Sequence, residues 1–415
     1  MNRTEAAGNT SESSVINKSL SRSGPEKIKN VSEPPPALRR PTIDLFQIIT
    51  SILKNHGIAR PTGGLRDKVM KLYEIFVSIT SVYTFVILTS GMNFKADDLQ
   101  VSFESLTFFL CSTPSIYMMT VCLIRKKMMF ALFDRINHLL AEIEDEFGPE
   151  MIRQMKRECK IVFLAHAGLY GFCIPPPYIV AYYKYYFDGV KDAAPYTTNI
   201  PFGRKENVHY NTFWQVLAYY YPITGSVTSR VLMGSLAIST SRIIEKTRWK
   251  FEQLSEHNNR ELLRQAVRWH SEVIQIVNES NYILGSCFAV ESLMAMTYIC
   301  NACFMLSKFG LKDDKLIYQS VTVVFIFACL PLYFCMSGHK IANESDKLYS
   351  SISQNRWYHL SPEDRKDLIL PLIVAKTGIS WNFRKLFQFD MTTYLYIIRQ
   401  SYSFYTLISA VDSGK

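Results

Sequence analysis

The chain has 415 residues, 48% of them hydrophobic and 20% charged, with 46 Lys and Arg against 36 Asp and Glu for a net charge of +10. So apolar a composition argues against an ordinary soluble enzyme and suits a membrane protein with polar loops. The positive excess sits between apolar blocks and accompanies no RNA- or DNA-reading motif, so it reads as a topology signal and implies no nucleic-acid partner.

Residues 1–66 are rich in Ser, Asn, Pro and charge, with Pro34, Pro35 and Pro36 in a row. They cannot bury enough apolar surface to fold alone and are expected to form a disordered tail. The first 60 residues hold no apolar signal core, so no cleavable signal peptide is expected. Asp44 to Leu53 is a short amphipathic stretch, too short to cross a bilayer. Lying at the membrane face and packing as an ordinary helix are both open to it.

A hydrocarbon core of ~30 Å takes ~20 apolar residues as helix. Seven runs approach that length with few charges: Leu72–Met92, Phe103–Ile124, Ile161–Phe187, Phe213–Ile238, Tyr282–Leu306, Ile317–Met336 and Met391–Ile408. Arg399 and Gln400 make the last the least apolar. Pro114, Pro175, Pro176, Pro177, Pro222 and Pro331 fall within these runs, which predicts kinked helices around a cavity. Between the runs, Met128–Phe147 and Phe251–Asn281 carry apolar residues at three- and four-residue spacing, among them Leu262, Leu263, Ala266, Val267, Val273, Ile274 and Val277. That periodicity predicts helices continuing out of the membrane.

Counted on alternate sides of the seven runs, 35 Lys and Arg fall on the side of the N-terminus and nine on the other. The positive-inside bias places the N-terminus in the cytosol and the C-terminus outside. Four N-x-Ser/Thr sequons, at Asn2, Asn9, Asn17 and Asn30, pull the other way, although Ser/Asn-rich sequence produces them by chance.

Of nine cysteines, eight fall inside the runs and Cys159 at the edge of one; Cys300 and Cys303 form a CxxC whose apolar helical setting favours packing over redox or metal chemistry. No HExxH, P-loop, GxSxG or clustered His/Cys spacing occurs, so neither an enzyme nor a cofactor or metal is expected. His166 reads as a hydrogen-bonded structural residue. Arg230, Glu291 and Arg399 lie inside apolar runs, where a charge must pair, snorkel or face water, and their partners stay open.

The last third carries a recognisable pattern. Ser337-Gly-His-Lys-Ile-Ala-Asn-Glu-Ser-Asp-Lys-Leu-Tyr is followed by Trp357 and by Arg365-Lys-Asp-Leu-Ile-Leu-Pro-Leu. Phe387-Gln-Phe-Asp-Met-Thr-Thr-Tyr then runs on to Ser401-Tyr-Ser-Phe-Tyr-Thr-Leu. Together they resemble the C-terminal region of insect odorant receptors over about 70 residues. Thr393-Tyr394 through Gln400 is also close to the ending of gustatory receptors, but Arg399 takes an apolar slot and Ser401 stands in place of Phe. The 239–281 loop is modest, whereas the olfactory co-receptor has a much longer one, so the chain resembles a ligand-tuned subunit.

The resemblance implies an all-α membrane protein with seven transmembrane helices, a cytosolic N-terminus and an extracellular C-terminus, in the plasma membrane of olfactory sensory neurons. It implies a tetrameric, odorant-gated, non-selective cation channel formed with the olfactory co-receptor. The organisation expected is residues 1–66 as a cytosolic tail with a short interfacial helix, 67–336 as the ligand-binding membrane domain, 337–390 as a cytosolic assembly segment, and 391–415 as the pore helix and outer tail. Carried over by position, Ile397, Gln400 and Ser401 would line the pore, an i, i+3, i+4 set on one helical face. The small volatile ligand would lie in the outer halves of helices two, three, four and six. There the chain offers Phe108, Phe109, Ser112 and Thr113; Phe172, Ile174 and Tyr178; Leu217, Tyr220 and Tyr221; and Tyr318, Thr322 and Phe325. Tyr182, Tyr183, Tyr185 and Tyr186 read instead as an interfacial aromatic belt. A gustatory-type channel and a seven-helix G-protein-coupled receptor are the alternatives. The second needs the opposite orientation and lacks Asp-Arg-Tyr after the third run and Asn-Pro-x-x-Tyr in the seventh.

Overall fold

The computed structural model describes residues 45–60, 64–90, 99–191, 193, 207–254, 260–309 and 314–413, all within one unit, Ile43–Lys415. The tail through residue 44, with its sequons and proline run, lies outside the described residues, as does Met92.

Each of the seven apolar runs falls on helix. Helix α1 is Gln47–Asn55, α2 is Leu65–Ser90, α3 is Leu99–Ile124 and α4 is Lys126–Phe147. Helix α5, Glu150–Cys173, gives way at Ile174 to α6, Pro175–Tyr186. The break follows from the three prolines, which supply no N–H to continue α5 but suit the first turn of a new helix. Then come α7 (Val208–Leu254), α8 (Arg260–Phe309), α9 (Asp314–Ser353), α10 (Pro362–Thr377) and α11 (Met391–Ser413). Among the described residues, four stretches suffice by length and composition to cross a membrane: Ser105–Ile124, Glu150–Tyr186, Arg260–Lys308 and Ser320–Ser353. The other three runs lie on α2, α7 and α11. Pro114, Pro222 and Pro331 are accommodated inside α3, α7 and α9.

Helices α7, α8 and α9 have 47, 50 and 40 residues, so at 1.5 Å per residue they reach ~70, ~75 and ~60 Å. The excess over a bilayer forms a stem with α4 and α10. Its core is apolar, with Phe133, Ile136, Leu140, Phe251, Ala266, Trp269, Val273 and Ile276 buried. Around that core runs a ladder of charges. The Arg268 guanidinium donates to both Glu142 carboxylate oxygens at 3.0 and 2.7 Å, and Arg135 reaches Glu272 at 3.1 Å and Glu279 at 3.4 Å. Lys250 is the exceptional member, because its side chain is fully buried. Its Nζ donates to Glu146 at 2.6 Å and to Gln265 at 2.7 Å and sits 4.4 Å from the centre of the Trp269 ring. A buried ammonium is tolerable only when so surrounded.

Helix α1 packs into the bundle. Phe46, Ile49 and Leu53 are buried, and Phe46 stacks on Phe133 of α4 at 4.2 Å. The helix ends at Gly57, whose φ of 78° is free of strain only without a side chain. Burial holds the neighbouring His56 imidazole down to about 4, so it is neutral at physiological pH.

Among the described residues, Cys300, Cys303 and the other cysteines given side chains are all free thiols. His166 Nδ1 bonds the Val162 carbonyl at 2.9 Å, the structural role expected of it.

Truncating Glu146 to Ala leaves the Lys250 charge buried against Gln265 and Trp269 alone. The loss expected is about 2 kcal/mol, below the range for a fully enclosed pair because Glu146 keeps part of its surface in water. The double variant Glu146→Leu with Lys250→Met removes both charges and should recover most of it. Thermal unfolding of the detergent-solubilised proteins checks both.

Candidate ligand site and last helix

Away from the stem the bundle has its own apolar cluster, made of Leu110 on α3, Ala295, Tyr298 and Ile299 on α8, and Ile326, Phe327 and Leu330 on α9. Tyr298 and Phe327 stack with ring centres 3.7 Å apart. Phe109, Cys111, Leu169 and Ile398 are half-buried around this cluster. Of the expected ligand residues, Phe109 therefore faces the interior between helices, and Ile174 packs on the main core. Ser112 is buried, with its hydroxyl donating to the Phe109 carbonyl at 3.2 Å; Thr113 donates to the same oxygen at 2.7 Å. Tyr178 and Thr322 are half-buried. Phe172, Leu217, Tyr220 and Phe325 turn outward, at 77%, 39%, 56% and 59% exposure. The side chains of Phe108, Tyr221 and Tyr318 lie outside the described residues. Outward and inward aromatics look alike in an apolar run, because hydropathy does not say which face meets another helix.

Beside this region lies a group the sequence signalled only as two charges in apolar runs. Arg230 of α7 and Glu291 of α8 form an ion pair with 2% and 8% of their side chains exposed. Arg230 also donates to Ser229 Oγ at 2.6 Å and to the Ser226 carbonyl at 3.2 Å, and its guanidinium lies 5.1 Å from the centre of the Phe334 ring of α9. One helical turn above, the Ser226 hydroxyl shares a hydrogen bond with the Tyr170 hydroxyl of α5 at 2.6 Å. Two opposite charges in neighbouring apolar runs were the signal for a pair; Tyr170 and Ser226 gave none. Arg399 behaves differently, being exposed on α11 with no ion-pair partner among the described residues.

Helix α11 is held from below by a strap. After α10 the chain crosses the stem: the Ile379 N–H donates to Ser345 Oγ at 2.8 Å, the Asn281 side chain donates to the Ser380 carbonyl at 3.1 Å, and the Asn382 N–H donates to Asn281 Oδ1 at 3.0 Å. A two-stranded hairpin, β1 (Asn382–Phe383) with β2 (Phe387–Gln388), turns at Arg384 and Lys385, both at positive φ. Trp381 and Phe389 are buried beneath it. Gly338 of α9 lets the strap in so closely that a Cβ there would overlap the Phe389 carbonyl. Asp390 then caps α11, its carboxylate accepting from the Thr393 N–H at 2.8 Å. The Ser337-Gly and Phe387-Gln-Phe-Asp motifs thus meet in space as the two halves of one joint.

The pore residues carried over from the resemblance are placed unevenly. Ile397 and Ser401 are buried against the chain's own bundle, and the Ser401 hydroxyl donates to the Ile397 carbonyl at 2.8 Å; Gln400 is half-buried. In a single copy Ile397 and Ser401 thus face the chain's own bundle. The uncovered face carries Arg399, Ser403 and Thr406 at i, i+4, i+7 spacing among the exposed Leu395, Tyr396, Tyr402 and Leu407. A separate groove of about 500 Å³ in the stem, lined by Arg248, Glu252, Asp346 and Lys347 among others, mixes charges of both signs and does not suit a neutral volatile.

These features define a polytopic helical membrane protein whose last helix is strapped to a long stem. A family model described as 7tm Odorant receptor matches residues 98–402, and the chain belongs to that family. Odorant receptor 47b of Drosophila melanogaster is 20% identical over 294 residues, covering 66% of this chain and 71% of that protein. Putative odorant receptor 69a, isoform A, of the same species is 23% identical over 142 residues, covering 34% of this chain and 35% of its own length. Among solved structures, the insect olfactory receptor OR5 from Machilis hrabei in complex with eugenol superposes with a TM-score of 0.77 at 14% identity, covering 88% of this chain and 97% of that one. A second structure of the same receptor gives 0.70 at 13%. The fold is the insect olfactory receptor fold, and the family is one of receptors, not enzymes.

Gly338→Ala should disrupt the joint by driving a methyl group into the Phe389 carbonyl, at a loss of about 3 kcal/mol. Gly171→Ala, where a Cβ meets open space, should leave stability unchanged or slightly raised. Melting temperatures of the two purified variants test the contrast.

Proposed function

We propose that the chain is the ligand-tuned subunit of a heteromeric, odorant-gated cation channel, assembled with the olfactory co-receptor in the membrane of sensory neurons. The observation that carries this reading is the face of α11. A transmembrane helix that leaves Arg399, Ser403 and Thr406 on its uncovered side is poorly suited to lipid, since one Arg in mid-membrane costs ~2.5–3.5 kcal/mol. A water-filled path shared with other subunits relieves that cost. In this reading Arg399, Gln400, Ser403 and Thr406 border the path, and Ile397 and Ser401 reach it only if α11 turns about its axis.

The orientation that suits it has the N-terminus and stem in the cytosol, with residues 337–390 in subunit assembly, as the charge distribution favours. The ligand is a small volatile held between helices near Phe109, Ser112, Thr113, Ile174, Tyr178 and Thr322. A phenolic volatile of the eugenol type is a reasonable first probe, because eugenol is bound to the similar fold of OR5. The hydroxyls of Ser112 and Thr113 are already engaged with backbone, which favours a ligand recognised by shape and apolar contact.

Oocytes expressing this chain with an olfactory co-receptor, superfused with eugenol, hexanol, hexanal and ethyl butyrate, should show odorant-evoked cation current that neither chain gives alone. Current from this chain alone would make it a self-sufficient receptor. Absence of current in every combination, with both chains at the surface, would contradict the channel reading.

A further inference from the structure

The Arg230–Glu291 pair is joined to the start of α11 by a continuous set of packed aromatic rings. Phe334, against which the Arg230 guanidinium lies, is 6.2 Å from Phe288 between ring centres. Phe288 in turn meets Phe389 edge-on at 4.7 Å and Trp381 at 5.6 Å. Phe389 is bonded through its N–H to the Trp381 carbonyl at 3.0 Å and immediately precedes Asp390, the cap of α11. The helical spacing keeps these groups in line. Phe288 and Glu291 are one turn apart on α8, and Phe334 and Gly338 are one turn apart on α9. Gly338 is where the Phe389 backbone touches down.

Above the pair, the Ser226 carbonyl that accepts from Arg230 belongs to the residue whose hydroxyl meets Tyr170, and Tyr170 lies one turn from Ile174 in the proposed ligand region. A desolvated ion pair has few intermediate arrangements, being either made or broken at large energetic difference. It therefore suits a two-position element between a ligand region and a moving helix.

We propose that Arg230 and Glu291 are positioning residues for gating: acting through Phe334, Phe288 and Phe389, the pair holds the first turn of α11 in its closed placement. The inference rests on the channel reading above. Its distinguishing consequence is that damage to the pair or to the rings shifts the closed–open balance without any change in the ligand region or along the uncovered face of α11.

The test uses the full chain with the co-receptor in oocytes, without odorant. The readout is the current lost when external sodium is replaced by N-methyl-D-glucamine, divided by surface-labelled subunit. Glu291→Gln, Phe334→Leu and Phe288→Leu should each raise this ligand-free current about tenfold, the range of ordinary coupling between sites. Because the groups lie on one route, combining Glu291→Gln with Phe288→Leu should give no more than the larger single effect. Phe76→Leu, an exposed aromatic of α2 off the route, should leave the current as it is. A merely structural role lowers surface labelling and leaves current per subunit constant. Should Glu291→Gln fail to reach the surface, the two Phe→Leu variants decide the matter alone. Unchanged current per subunit in those variants, or effects that combine independently, would overturn the inference. If the wild-type pair of chains passes no sodium-dependent current beyond the co-receptor alone, with or without the odorant panel, the channel reading itself falls and the inference with it.

Discussion

Three helices, α7, α8 and α9, are each about twice as long as a hydrocarbon core is thick, and every other feature is arranged around that mismatch. One half of each helix must suit lipid and the other half water. The same continuous backbone therefore carries Tyr298 and Phe327 stacked in an apolar cluster at one level, and Lys250, Arg268 and Glu272 in an ionic ladder at another. Since the helices run unbroken through both regions, a displacement of the membrane half is carried into the stem, and the reverse. The strap from Ile379 to Asp390 exploits this. It is anchored on the stem through Ser345 and Asn281, and it delivers α11 back toward the membrane half.

Within the bundle the Arg230–Glu291 pair is the most demanding interaction. An ion pair removed from water gains stability only when its remaining donors and acceptors find partners, and Arg230 finds Ser229, the Ser226 carbonyl and the Phe334 ring. The pair links α7 to α8 and borders α9, so it also fixes the spacing from which the aromatic rings reach the strap.

The positions of the spanning helices were legible because a bilayer demands long apolar runs, and each of the seven runs lies on helix. The break before Pro175 and the helical continuation over Arg260–Asn281 were legible for equally local reasons, a missing N–H and a 3.6-residue period. Tertiary facts were not. Hydropathy could not separate Phe172 or Phe325, which face outward, from Phe109, which faces inward. Nor could it show that α1 would bury Phe46 against Phe133. The similarity that suggested Ile397 and Ser401 said nothing of their burial against the bundle, because the rotation of a helix about its axis is set by what packs on it. The Ser337-Gly and Phe387-Gln-Phe-Asp motifs carried the family but not its reason, which is the contact between Gly338 and Phe389.

The central claim is that the stem and hairpin stand in the cytosol while α11 leads outward. Epitopes inserted singly at the exposed Arg384–Lys385 turn and at the C-terminus bracket that one helix, whose 23 residues suffice to cross the hydrocarbon core. In intact cells the account predicts antibody labelling at the C-terminus alone, with the turn labelled only after permeabilisation. Labelling of the turn in intact cells, or of both epitopes from the same side, would contradict it.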